Sequence, residues 1–474
     1  MRYKKKMLNK KSVYYHRLVF KAVVLFTQIL SCVAYIHSWI APYQKILLAW
    51  GALLIVLELF RGFKPWKQTG TVLFCLFLIG YLGSIFFADK VYRSANIHAF
   101  FYMVMMFVVF YALDTGDRAA RAREYAVLAN VVILTILGMT LVGLYVAVTI
   151  KKGRHYTTEL GEIGNLGVMR RRLSGVVNAN TGGGLYAVCI LLSFFMMHRK
   201  GRGRIPRNIF YALVIVIEVI ALYLSYCRTS IYALTAVLAV YLFWQLPYRI
   251  RPLGRMKEPG KSAIRLVVAA AVAAALFLSA FQVREALYAQ LRQARKWYKS
   301  GSIVRVVSAA DGAFLLAAAE TEADEEDEWN IADELRGRAG IWQEAFKNIR
   351  KNPVWGVSNE AIEDTLSATT QYYSYHAHSI YITVMLASGA VGGLLLALFA
   401  GHGLKRIWKD RRFLWTAGSP MVFGPALLVL FLLVRDVTET SLIFRLSFFA
   451  CLYWEALGAF RQELEAADGT AGEN

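Results

Sequence analysis

Twelve apolar stretches, each of roughly 14 to 26 residues, dominate this chain, and about 20 such residues in a helix suffice to cross ~30 Å of hydrocarbon. They lie near 18–40, 44–60, 69–88, 97–113, 125–150, 181–197, 209–226, 229–246, 264–281, 379–400, 421–434 and 442–460. In lipid every backbone N–H and C=O must be bonded within the protein, so segments of this length fold as helices. A hydrophobic share of 57% with only nine prolines agrees with a polytopic, all-α membrane protein of about twelve transmembrane helices and excludes a soluble enzyme.

The net charge of +22 would suggest a nucleic-acid partner in a soluble protein. Here the basic residues fall in short blocks between apolar spans, the pattern of membrane topology and not of nucleic-acid binding. With the N-terminus inside, five short inner loops hold 21 Lys and Arg, whereas four short outer loops hold 5. Short basic loops resist translocation, so both termini are expected in the cytoplasm of a bacterial cell and the long loops 151–180 and 282–378 outside it. The chain then divides into spans one to nine (1–281), a large extracytoplasmic loop (282–378), spans ten to twelve (379–460) and a cytoplasmic tail (461–474). The basic segment 1–17 leads into the first span with no small-residue cleavage site, which predicts an uncleaved first helix.

The large loop is expected to be partly helical. Residues 283–298 place Leu287, Leu291, Ala294 and Tyr298 on one face and most of Arg284, Arg292, Arg295, Lys296 and Lys299 elsewhere, the pattern of a helix lying on the membrane surface. The apolar stretch 303–319 contains Arg305, Asp311 and Gly312 and is read as a partly buried surface helix, because a crossing there would invert the basic loop 402–419. The acidic run 320–328 reads as a solvated excursion. A second amphipathic helix, 335–349, carries Ile341, Trp342, Ala345, Phe346 and Ile349 and ends at Asn352-Pro353.

Arginines at the outer ends of spans run against the inside preference for positive charge and need a reason. Arg170, Arg171 and Arg172 precede span six, Arg228 caps the tight connection between spans seven and eight, Arg338 opens the second loop helix, and Arg435 and Arg445 flank the last outer turn. Together they could bind a diphosphate through bidentate, charge-assisted hydrogen bonds. Arg435 and Arg445, with Asp436 and Glu439 nearby, also read as structural pairs. His378, where the large loop meets span ten, titrates near neutrality and is placed for general-base work; a capping or packing role is the alternative. His376 is expected to point elsewhere if the helix begins at Ser379, and His155 to be solvated.

Other polar groups have plainer readings. The mid-span Glu218 fits an interhelical hydrogen bond better than a proton path. Gly182, Gly183 and Gly184 allow close packing or a backbone turn. The five cysteines show no ligand spacing, so neither a disulfide framework nor a metal is expected.

Four stretches in this order resemble the bacterial O-antigen ligase and O-antigen polymerase family: Arg172-Leu-Ser-Gly175-Val-Val-Asn178-Ala-Asn180, Ser225-Tyr-Cys-Arg228, Arg338-Ala-Gly-Ile-Trp342 with Asn352-Pro353 and Gly356, and His378-Ser-Ile-Tyr381. The resemblance spans residues 125–440. It implies a GT-C-like fold and an inverting transfer, needing neither metal nor cofactor, of a glycan from undecaprenyl diphosphate to an acceptor hydroxyl at the outer face of the membrane. His378 would be the base and Arg172, Arg228 and Arg338 the diphosphate-binding residues. His376, Tyr381, Asn178, Asn180, Arg435 and Arg445 would support them. Ligase and polymerase differ in acceptor: a lipid core or wall polymer in one case, another lipid-linked repeat in the other. A transporter or flippase would call for internal repeats, which the two unlike halves lack.

Overall fold

The computed structural model describes residues 10–64, 70–87, 89–113, 117–150, 154–158, 163–169, 171–199, 204–249, 258–300, 321–322, 331–367, 376–409 and 420–471. The expected surface helix at 303–319, most of the acidic run 320–328 and Arg170 lie outside them, as do the side chain of His155 and part of the loop 402–419.

Helices dominate. In chain order they are α1 (Lys10–Leu30), α2 (Ala34–Ile40), α3 (Gln44–Phe60), α4 (Thr71–Phe87), α5 (Arg93–Met105), α6 (Arg118–Thr149), α7 (Ala179–Met197), α8 (Arg204–Ser225) and α9 (Arg228–Arg249). There follow α10 (Glu258–Ser300), α11 (Ile331–Lys351), α12 (Ile362–Ser367), α13 (Ile380–Lys409), α14 (Pro420–Arg435) and α15 (Phe448–Ala471). Among the described residues, seven stretches are long and apolar enough to cross a membrane, and three shorter apolar helices, Thr71–Phe87, Ser262–Leu276 and Phe423–Arg435, join them. The protein is therefore a polytopic helical membrane protein.

Several expected boundaries move. The first apolar stretch, 18–40, is not one helix: α1 stops at Leu30, Val33 is extended, and Ser31 hydrogen-bonds His37 Nδ1 at 2.5 Å across the break. The last helix starts at Phe448, not 442, and runs on through the expected tail, where Arg461, Gln462 and Glu463 are buried. The surface helix expected at 283–298 is instead the continuous second half of α10. Its Leu291 is buried as the pattern requires, but Tyr288 is buried too, and Arg295 Nε reaches the carbonyl of Ala147 at 2.8 Å. Protein, not lipid headgroups, thus covers part of that face. The loop 151–180 carries three antiparallel strands, β1 (Arg154–Thr157), β2 (Ile163–Met169) and β3 (Arg172–Gly175), joined at the β1 edge by β4 (Thr321–Glu322).

The chain forms two compact units. The first comprises Met1–Leu25, Lys45–Tyr125 and Asn330–Asn474. Its centre is aromatic: Phe74 stacks on Phe107 with ring centres 4.4 Å apart, and Trp454 meets Phe74 edge-on at 4.9 Å. The π-helical segment Met106–Ala112 packs on α15, where a side chain at Gly458 would strike the backbone of Phe110 and Tyr111. Lys21 bridges Glu124 at 2.8 Å and Glu455 at 2.7 Å, so these buried charges are paired.

Within this unit the segment after α11 lies against a break in α13. Gly389 has φ 70° and ψ 173°, which frees the carbonyls of Leu386 and Ala387 to accept from the N–H groups of Val357 (2.8 Å) and Ser358 (3.0 Å). Ala390 N–H returns a bond to Pro353 O at 2.8 Å. Gly356 (φ 68°) and Gly389 permit this approach, since a methyl group on either would collide with the facing backbone. Asn96 closes the join, donating to Ser358 Oγ at 3.0 Å and accepting from Tyr81 Oη at 2.7 Å and Glu360 N–H at 3.2 Å.

The second unit comprises Phe26–Gln44 and Ala126–Trp329. Here α7 packs along α8, and α9 along α10. The sequence predicts α8 and α9 as a hairpin. The two-residue connection is present, but the helices diverge from it, and an apolar cavity of about 250 Å³, lined in part by Phe194, Ile215, Leu222 and Leu234, lies between α7, α8 and α9. Glu218 is fully buried and accepts from Thr140 Oγ1 at 3.0 Å, the interhelical bond expected of it.

Candidate functional site

Two clusters collect the chemistry-bearing residues, one in each unit. In the first unit, α11 is amphipathic and packs on α13, burying Ile341, Ala345 and Ile349. Trp342, on this helix, donates from Nε1 to the carbonyl of Ala377 at 2.8 Å, which fixes the residue between the two histidines. Ala377 is fully buried. The backbone N–H of His378 donates to His376 Nδ1 at 3.1 Å, and the next helix is tied down where Ile380 N–H meets Asp436 O at 3.0 Å.

These bonds hold His378 at φ 48°, a left-handed conformation that side-chain-bearing residues seldom adopt and that costs about 1–3 kcal/mol. They also overturn the expectation that His376 points elsewhere. The helix begins at Ile380, one residue later than predicted, and the left-handed turn brings the two imidazoles together with ring centres 4.4 Å apart.

The surroundings favour the neutral form of both rings. Burial, together with His378, Arg445 and Arg338, pushes the His376 pKa down to about 3. His378 is lowered as well, by burial and Arg338, while Glu439 acts in the opposite sense. A neutral imidazole has a lone pair for a proton, and Arg338 beside it supplies positive charge for an anion.

The supporting residues divide by role. Arg435 is buried, bonds Asp436 at 3.0 Å and Ser441 at 3.1 Å, and lies over the Phe449 ring at 4.1 Å, so it braces the turn after α14 as a structural pair. Arg445 is exposed and acts on His376 through its charge. Tyr381 donates to the Leu433 carbonyl at 3.2 Å and joins α13 to α14. Its ring lines an apolar cavity of about 430 Å³ among α13, α14 and α15.

In the second unit the cluster is built around the connection from α8 to α9. Asn178 caps α7, accepting from Asn180 N–H at 2.9 Å. Arg172, the first residue of β3, donates to Asn180 Oδ1 at 2.5 Å and to the Ser225 carbonyl at 3.0 Å. The connection passes very close to α7, where Gly183 leaves room for Cys227, and Tyr226 takes φ 52°. Arg172, Asn178, Asn180 and Arg228 are thereby gathered at one turn, as their order in the sequence suggests. The structure adds Tyr226 and Arg284. The Arg228 guanidinium lies over the Tyr226 ring at 4.7 Å and that of Arg284 at 4.0 Å. Tyr226 stands inside a quoted motif; nothing near Arg284 in sequence points to this turn.

Fold and clusters together define a polytopic membrane protein with a neutral histidine pair beside an arginine in one unit and an arginine-rich helix turn in the other. Residues 211–397 match the O-antigen ligase family, in agreement with the resemblance carried by the sequence motifs. The matched stretch includes Arg228, Arg338, His376, His378 and Tyr381 and is narrower than the 125–440 of the motif resemblance. No curated protein matches the chain in sequence.

Proposed function

We propose that this protein is a metal-independent, inverting glycosyltransferase that moves a glycan from undecaprenyl diphosphate to an acceptor hydroxyl at the extracytoplasmic face of the bacterial cytoplasmic membrane. It would do so on a GT-C-like scaffold of about twelve spans with both termini cytoplasmic. His378 takes the acceptor proton as the hydroxyl oxygen attacks the anomeric carbon. The bond from that carbon to the diphosphate oxygen breaks on the opposite face, inverting the configuration. Arg172, Arg228 and Arg338 hold the diphosphate and stabilise the charge it gains on leaving, so no general acid is needed. Asn178 and Asn180 set the position of Arg172, and His376 and Tyr381 that of the His378 turn.

The observation that carries this reading is the His376–His378 pair, fixed by backbone bonds, its neutral form favoured by burial and Arg338, within the stretch that matches the O-antigen ligase family. A base must be unprotonated to act, and burial beside a cation favours that form. The test is the purified protein in lipid nanodiscs, given a glycan on undecaprenyl diphosphate, a hydroxyl acceptor and a chelator. Formation of a glycosidic bond with release of undecaprenyl diphosphate is the expected result; donor left unchanged with every acceptor class contradicts it. Product on a lipid core or wall polymer marks a ligase, whereas chain growth on a second lipid-linked repeat marks a polymerase.

A further inference from the structure

We propose that Arg284 and Tyr226 complete the diphosphate site: Tyr226 carries the guanidiniums of both Arg228 and Arg284 on its ring, and the paired cations grip the donor diphosphate. The inference rests on the donor reading above and adds two residues to it. By sequence, Arg284 belongs to the polar side of a helix on the membrane surface. In the structure it lies 4.0 Å from the Tyr226 ring centre, at the same turn as Arg172 and Arg228.

Arg284 is built into place. Its Nη2 donates to the Arg171 carbonyl at 3.1 Å, and its Nη1 lies 3.2 Å from Glu285, whose other oxygen takes the Arg171 guanidinium at 2.6 Å. Only 14% of its side-chain surface is exposed, and among the described residues its buried Nε–H has no acceptor. A buried donor on a cation demands an acceptor; Glu285 engages Nη1 and leaves Nε–H to a second anionic oxygen, which a phosphate supplies. The aromatic face explains the geometry: a guanidinium on a ring keeps its edge donors available while the stack fixes its plane. Tyr226, in a left-handed turn between two helices, is thereby a positioning residue for two arginines that lie 56 positions apart in sequence.

The test measures binding of undecaprenyl diphosphate, with undecaprenol as the uncharged control, to the full-length protein in nanodiscs. Arg284→Ala should weaken the diphosphate by about tenfold or more, the loss of a charge-assisted contact, and leave undecaprenol unchanged. Tyr226→Phe should bind like the parent and Tyr226→Leu several-fold more weakly, which separates the ring from its hydroxyl and decides the matter if Arg284→Ala does not fold. Parental affinity in Arg284→Ala, or equal affinity in the Phe and Leu variants, overturns the proposal while leaving the donor reading intact. Failure of the parent protein to bind the diphosphate more tightly than undecaprenol overturns both.

Discussion

The backbone N–H of His378 donates to the Nδ1 of His376, 3.1 Å away, so one imidazole holds the turn that presents the other. This assigns Nδ1 of His376 as an acceptor and makes that residue part of the support for the proposed base. His376→Ala should lower kcat several-fold with the donor KM little changed, and cost about 1 kcal/mol of stability, the usual net worth of one hydrogen bond. His376→Asn, whose side-chain oxygen can accept the same bond, should recover part of the rate. Unaltered kcat in His376→Ala would show that the bond is incidental.

The charges around His378 predict opposite shifts of the pH profile. The base works unprotonated, so activity falls as pH drops through its pKa, which lies below the ordinary histidine value of 6.5. Arg338 lowers that pKa and Glu439 raises it. The acid limb of kcat should therefore move to higher pH in Arg338→Gln and to lower pH in Glu439→Gln. Profiles that keep the same limb in both variants would remove His378 as the titrating group.

The join at Gly389 predicts a stability effect. A side chain there meets the Val354 backbone and a left-handed φ of 70° together. Gly389→Ala should cost on the order of 2 kcal/mol or more and loosen the 353–358 segment, read as a lower melting temperature and faster proteolysis there. An unchanged melting temperature would mean that the segment does not depend on this contact.

The sequence discloses what periodicity and charge can encode. Apolar length marks most of the helices, and the residue pattern of 335–349 yields α11 with its buried Ile341, Ala345 and Ile349. Motif order gathers Arg172, Asn180 and Arg228 because a β-strand, a helix N-terminus and a two-residue turn meet there. What stays hidden depends on positive φ and long-range contact. No local rule sets His378 at φ 48°, so the meeting of His376 with His378 is invisible in the chain. Periodicity finds the polar side of 283–298 but not what covers it, and Arg284 is therefore read only as part of the polar side of a surface helix. Likewise Val33 and Ser31 break an uninterrupted apolar run through a hydrogen bond to His37 that hydropathy does not register.

Arg228 tests the planar guanidinium. It lies over Tyr226, and its proposed partner is a phosphate group that a fork of donors matches better than a point charge. Arg228→Lys should reduce transfer by about 10- to 100-fold, the loss of roughly 1.5–3 kcal/mol from a charge-assisted contact, with the protein still inserted. Full transfer by the lysine variant would mean that charge alone suffices at this position.

The central claim is that His378 is the base, and the direct measurement is transfer by His378→Ala with lipid-linked glycan as donor. The account predicts a fall in kcat of about 10²- to 10⁴-fold, the usual contribution of a positioned general base, with donor binding and folding retained. Normal product formed at the parental rate would contradict it.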